Sequence, residues 1–350
     1  MCNIAGYIGR REAAPILIEM MRREEGYAAG YYTGMTVHDG ERLHTDKVLG
    51  DLSHLLAETN CADFRGTVGF IHSRSNSGGG VGWGHPFITK GGKTSLIANG
   101  AAGCFLTPEM KKKRCDVAVM LEGLGYEFGS RATGVVGDYP ALSDGTAIHS
   151  SDLLCQYAAY LIDGGMHPAA ALAKTMSELP CEAVVAVMRR EFARSIFITR
   201  VNYPMTVAVA EDGDLYFATT PLAFPPDVRF REMRMLEPLA GYELHDGGYT
   251  VTPYRIEVGR EVAPITEEVL SAVEDIVLSG LAGESAPVSL GTVEDMFKDT
   301  LPSDPIPQVE PIAYMVMERL LAKGSIRVVP TLSEGPFPGY STYRAYLALA

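Results

Sequence analysis

Cys2-Asn3-Ile4-Ala5-Gly6-Tyr7-Ile8-Gly9 follows the initiating Met1. The stretch is short, apolar and β-prone, and it ends in glycine, so it reads as a buried strand starting almost at the chain terminus. Residues 11–25 place Ala13, Ile16, Ile18, Met20 and Met21 among charges, the pattern of a helix laid on a sheet. Strand-like segments follow at 30–38, 41–49, 67–73 and 94–99, separated by glycine-rich turns. Helical patterns occupy 107–126, 150–164 and 168–178. Short β-rich segments then return at 183–189, 195–199, 205–210, 214–218, 228–235, 242–246 and 249–257. Strands, then helices, then strands again predict an α+β layered sandwich rather than alternating βαβ units.

The texture changes near residue 257, and two units are expected, 1–256 and 257–350. In the second, a helix over 266–280 is capped by Thr266, has Glu267 and Glu268 in its first turn and stops at Gly280. A Pro, Gly and Ser-rich stretch runs from 282 to 309. A helix at 311–323 and strands at 326–330 and 340–348 complete a small, mainly helical, winged-helix-like order. Residues 256–350 carry 6 basic against 14 acidic side chains, which suits a protein contact or a regulatory role better than a DNA-reading wing.

The whole chain has 30 Lys+Arg against 43 Asp+Glu, a formal net charge of -13. Backbone-dominated nucleic-acid binding needs a basic face, so no nucleic-acid partner is expected. No apolar run is long enough to span a bilayer. Arg10, Arg11 and Glu12 interrupt the first apolar run, which does not suit a signal peptide, and a cytoplasmic location follows. The six cysteines form no CxxC pair, so no metal site is expected; five of them read as inert and buried.

Cys2 is the exception. Removal of Met1 would leave a thiol and an α-amine on one residue, and an α-amine with a reference pKa near 8 can act as the base. Taken alone, Cys2 is better explained as a small buried residue in a strand. Arg74 ends the strand 67–73 and opens into the glycine loop Ser77-Gly78-Gly79-Gly80; its planar guanidinium suits a carboxylate. Asn99-Gly100 ends the apolar strand Leu96-Ile97-Ala98, where an amide side chain and a backbone N–H can point at one developing oxyanion. By themselves, a surface arginine and a common Asn-Gly turn account for these two.

Taken together, Cys2–Gly9, Gly30-Tyr31-Tyr32-Thr33-Gly34, His72-Ser73-Arg74, His85-Pro86 and Asn99-Gly100 resemble, in order and spacing, the class II glutamine amidotransferases. The pattern is most like the glutaminase domain of glucosamine-6-phosphate synthase, without its isomerase domains, and it spans about residues 2–250. Ser195–Pro204 and Tyr216-Phe217-Ala218-Thr219-Thr220-Pro221 extend the likeness. The resemblance implies a four-layer αββα N-terminal-nucleophile hydrolase sandwich with no cofactor.

It also implies that Cys2 attacks the side-chain amide of glutamine and that Asn99 and Gly100 hold the oxyanion. A γ-glutamyl thioester would form, ammonia would leave, and water would release glutamate. Arg74 takes the substrate α-carboxylate, and Ser77 and Asp152 complete the substrate site. An ammonia-accepting protein partner is expected, since the remaining residues are too few for synthase lobes; a homo-oligomer is a further expectation.

The departures are specific. Ala29 stands where the family has an arginine, Ala98 where it has a histidine, and Ser75-Asn76-Ser77 where it has an aromatic and a second histidine. The family's Asp-Thr/Ser-Glu at a helix start becomes Ser150-Ser151-Asp152, after an insertion at about 131–148, so Asp152 reads either as the ammonium ligand or as a helix cap. These changes leave two alternatives open: an amidohydrolase of another amide, and a non-catalytic amino-acid sensor acting through 257–350. Gly91-Gly92-Lys93-Thr94-Ser95 ends like a phosphate loop but precedes a strand, so no nucleotide site is expected there. His149 is assigned to the core or the surface rather than to a pocket.

Overall fold

The opening strand β1 (Asn3–Ile8) lies at the centre of a seven-stranded sheet in the computed structural model, which describes residues 2–75, 78–335 and 339–350. After β1 come α1 (Ala13–Ala28), β2 (Tyr32–His38), β3 (Leu43–Leu49), α2 (Leu52–Glu58), β4 (Val68–Arg74), β5 (Phe87–Ile88) and β6 (Thr94–Ala101). Three helices follow, α3 (Pro108–Gly123), α4 (Ser150–Asp163) and α5 (Pro168–Glu178). The strands then resume as β7 (Glu182–Arg189), β8 (Ser195–Arg200), β9 (Thr206–Ala210), β10 (Leu215–Ala218), β11 (Phe230–Met235), β12 (Ala240–His245) and β13 (Gly248–Val251). The last stretch holds α6 (Glu267–Gly283), α7 (Leu290–Phe297), α8 (Val309–Ala322), β14 (Ile326–Glu334) and β15 (Ser341–Leu349).

The first sheet has the order β11-β9-β10-β1-β4-β2-β3 and the second β13-β12-β8-β7-β6-β5, with antiparallel pairing throughout. Side-chain alternation along each strand builds the layers. Ala5 and Tyr7 face α1, where Leu17, Met20 and Met21 cover them. Ile4 and Ile8 face the other way and meet Ile97, Val184 and Ile198 of the second sheet. Leu96, Ala98, Val185 and Val187 point outward from that sheet beneath Ala118, Leu153 and Leu172 of α3, α4 and α5. Helix, sheet, sheet and helix are thus stacked as an αββα sandwich.

Helices α6, α7 and α8 share a core with β14 and β15 through Leu270, Val273, Leu290, Phe297, Ile312, Val316 and Leu347, and Tyr27 and Leu222 pack against it. Thr266 caps α6 as expected, its side chain accepting from Val269 N. The helix does not stop at Gly280, however. A Cβ there would lie 2.6 Å from Met296 Sδ, so this glycine allows α7 to approach rather than ending α6. Helix α7, hidden in the Pro, Gly and Ser-rich stretch, was not predicted, nor was α2. Five inert buried cysteines were expected, but Cys104 is exposed and Cys115 half-buried. No helix among the described residues is long and apolar enough to cross a membrane.

Candidate active site

Residues 2, 4 and 8 of the opening strand share the face turned to the second sheet, and β6 turns Ile97 and Asn99 back towards it. Cys2 and Asn99 meet across this gap. Cys2 N donates to Asn99 Oδ1 at 3.0 Å, and Asn99 Nδ2 donates to Cys2 O at 2.9 Å. Asn99 is fully buried and Cys2 is 9% exposed. Gly100, the next residue on β6, has φ of +136°, and a Cβ there would stand 2.1 Å from Glu182 O. Only glycine fits that position.

Both residues line a cavity of about 420 Å³ together with Arg74, Tyr139, His149 and Ser150. Arg74 is buried at the end of β4. Its Nη1 donates to Trp83 O at 3.1 Å, and its guanidinium lies 4.7 Å from the Tyr32 ring centre. Behind this strand the buried Glu25 accepts from Ser73 Oγ, Thr33 Oγ1 and Leu52 N, which ties α1, β2, β4 and α2 together. Burial pushes the Glu25 carboxyl up to about 7 despite these bonds.

The structure brings Cys2, Arg74, Asn99 and Gly100 to one cavity, and it does not place Asp152 there. Asp152 Oδ2 accepts from Ser130 N and Oγ, and Oδ1 accepts from Gln156 Nε2. Burial raises its carboxyl. The reason is helical periodicity: Ser150, Ser151 and Leu154 of α4 face the cavity, which turns Asp152 and Gln156 the other way. Nor is Asp152 the cap of α4. His149 caps it, Nδ1 accepting from Ser151 N at 3.1 Å. Among the described residues the acidic side chain on the cavity wall is Asp138, from the inserted segment, which accepts from Lys111 Nζ at 2.8 Å. Ser77, the remaining candidate, lies outside the described residues.

Three histidines were missed as site residues. His72 pairs with Ile4 in the β1–β4 register, one step from Cys2. Its Nε2 lies 3.0 Å from Ala98 O, a carbonyl that can only accept, so the proton sits on Nε2 and Nδ1 is left for the thiol. Among the described residues Nδ1 itself has no hydrogen-bond partner. Burial raises the Cys2 thiol, but the adjacent His72 outweighs it, and the thiol is lowered to about 6. His85 lies tilted against His72 at 4.0 Å between centroids, and among the described residues neither of its ring nitrogens has a hydrogen-bond partner. His149 stands 5.6 Å from His85 and lines the cavity, contrary to its assignment to core or surface. Burial holds both His85 and His149 well below the usual histidine range, so they form an uncharged aromatic wall. Only the position of His72 two residues before Arg74, on the same strand face, could have marked it beforehand.

No family model matches the sequence. The chain is 28% identical over 219 residues to glutamine–fructose-6-phosphate aminotransferase (isomerizing) of Bacteroides thetaiotaomicron, covering 61% of this chain and 31% of that protein. The same enzyme of Chlorobaculum tepidum is 36% identical over 104 residues, 29% of this chain and 17% of its own. This chain therefore spans less than a third of the length of these curated relatives. Among solved structures, the glutamine phosphoribosylpyrophosphate amidotransferase of B. subtilis superposes with a TM-score of 0.58 at 14% identity, over all of this chain and 72% of that one. An allosteric regulatory enzyme of purine biosynthesis gives 0.57 at 16% identity, over 100% and 71%. The structural likenesses speak for the fold, and the sequence relatives for the family. The chain carries a class II glutamine amidotransferase domain, built on the N-terminal-nucleophile hydrolase fold.

Proposed function

We propose that this domain, residues 1–256, hydrolyses the side-chain amide of glutamine in the cytoplasm and passes the ammonia to an acceptor held by a partner protein, with 257–350 as an attached module. The observation that carries this reading is the reciprocal pair of hydrogen bonds between Cys2 and Asn99, in the cavity that also holds Arg74. With Met1 removed, the Cys2 nitrogen is an α-amine held by Asn99 Oδ1 within reach of its own thiol. The α-amine takes the thiol proton, and the thiolate attacks the amide carbon. Asn99 Nδ2, turned from Cys2 O, and Gly100 N–H stabilise the oxyanion. The α-amine delivers a proton to the departing ammonia, and the γ-glutamyl thioester is then opened by water that the same amine deprotonates.

Arg74 takes the substrate α-carboxylate through its fork. Asp138 receives the α-ammonium, a task the resemblance gives to Asp152. Ser77 keeps its assignment as a hydroxyl donor to the substrate. The displacement of Asp152 from the cavity also favours a second reading, hydrolysis of a carboxylate-bearing amide without an α-amine.

The test is mass spectrometry after incubation with a glutamine-mimicking diazoketone, alongside ammonia release from glutamine. A single adduct on an N-terminal Cys2, prevented by excess glutamine and absent in Cys2→Ala, is expected. An adduct that glutamine does not prevent selects the second reading. No adduct, with Met1 still attached, refutes both.

A further inference from the structure

A second cavity, of about 400 Å³, lies between α1 and the C-terminal elements. Its walls include Tyr27 at the end of α1, Tyr31, Glu294 of α7, and Arg344 and Tyr346 of β15. Ser75 belongs to this wall and to that of the Cys2 cavity, and Ser75 Oγ is 4.0 Å from Cys2 Sγ.

The two ionisable side chains of this cavity, one basic and one acidic, do not pair with each other. Arg344 Nη1 donates to Ala29 O at 2.6 Å, and its guanidinium lies 4.3 Å from the Tyr31 ring centre. Among the described residues no carboxylate stands within ion-pair distance of it. The guanidinium is thus held in place by a carbonyl and a ring, with its charge unanswered. Glu294 Oε1 is buried without a hydrogen-bond partner among the described residues. Burial, and next the neighbouring Glu310, push its carboxyl up to about 8. Leaving a buried carboxyl oxygen unpaired is costly, and a ligand with complementary groups at both ends would remove that cost.

We infer that this cavity binds a small zwitterion of amino-acid type, its carboxylate on Arg344 and its ammonium on Glu294. The volume falls towards the lower end of small-molecule sites, about 300–1,000 Å³. A guanidinium offers a two-pronged grip on a carboxylate. A polyamine would be repelled by Arg344, and a ligand ammonium would draw Glu294 into its ionised form, so one group of each sign is the matching class. The site lies outside the glutamine pocket and does not depend on glutamine hydrolysis, although the shared Ser75 lets occupancy be felt at Cys2.

The experiment is isothermal titration of the full chain with the proteinogenic L-amino acids one at a time, each alongside its decarboxylated amine and its deaminated acid. At least one amino acid should bind, with both truncated analogues at least about tenfold weaker. Glu294→Gln, which preserves shape, should weaken that binding at least about tenfold, and so should Arg344→Gln, while Arg74→Lys leaves it unchanged. Arg344→Gln counts only if its melting temperature matches the parent; Glu294→Gln decides the matter alone if it does not. No bound amino acid, or binding that Glu294→Gln leaves intact, overturns the assignment. If the only binding seen, glutamine included, is lost in Arg74→Lys, it belongs to the Cys2 cavity and the assignment is overturned.

Discussion

Substituting His72 by Gln tests what makes the Cys2 thiol reactive. Glutamine can still donate to Ala98 O through its amide, the bond that His72 makes at 3.0 Å, so the strand contact survives. It cannot take up a proton, so it cannot supply the charge through which His72 lowers the thiol. The native thiol is lowered from 9.0 to about 6, a preference for thiolate of about 4 kcal/mol. Burial acts in the opposite sense and stays when the charge goes. The midpoint of the variant should therefore climb towards 9 or above.

The assay is the pH profile of iodoacetamide labelling at Cys2, read by mass. In the parent, labelling should be flat above about pH 6 and fall tenfold per unit below it, because only the thiolate reacts. In His72→Gln it should still be rising at pH 8. The rate at a single pH is a poor reporter. At pH 7 the thiolate fraction falls from about nine-tenths to about one-hundredth, but the more basic thiolate is intrinsically about 15–30-fold more nucleophilic. The net loss is only about three- to sixfold. A variant midpoint that remains near 6 would refute the role given to His72.

Four further outcomes are expected. Asn99→Ala should lower kcat for glutaminase turnover by about 10²–10³ through loss of an oxyanion donor; a change in KM alone would contradict that role. Asp138→Asn should raise KM for glutamine at least about tenfold with little change in kcat, whereas Asp152→Asn should act on the melting temperature, since its carboxylate serves Ser130 and Gln156. Gly100→Ala forces a side chain onto φ of +136° and against Glu182 O, and urea unfolding should show a loss of at least about 2 kcal/mol. Tyr314→Phe removes the hydroxyl that accepts from Asn3 Nδ2 at 3.1 Å and leaves that buried donor orphaned, which should cost about 1–3 kcal/mol in the same measurement.

Much of the sandwich was legible because strands and helices here obey simple periodicities. Ile4 and Ile8 against Ala5 and Tyr7 already divide one face from the other. Helices α2 and α7 escaped for lack of that signal: α2 is 7 residues and α7 is 8, too short for an apolar stripe to repeat, and α7 sits among turn-forming residues. Cys2, Arg74, Asn99 and Gly100 each lie at the end of a recognisable strand, and it is the ordered resemblance to class II glutamine amidotransferases that joined them into one candidate site. Asp152 could not be judged in the same way. Its position near a helix start was plain, but a rotation of 100° per residue decides whether a side chain meets the cavity, and that depends on how α4 docks.

By itself, then, the order of apolar and polar residues determined most of the elements and their approximate bounds, because these rest on local propensity and spacing, while the candidate nucleophile was marked by the family resemblance. Tertiary structure alone decided which distant groups meet. His72 reaches Cys2 through strand register, His149 joins the wall because α4 starts there, and Asp138 arrives on an inserted segment. Arg344, 315 residues beyond Ala29, brings its guanidinium to the position where the local sequence has only a methyl group. Such pairings follow from the packing of sheets and helices against one another, and no short-range pattern in the chain encodes them.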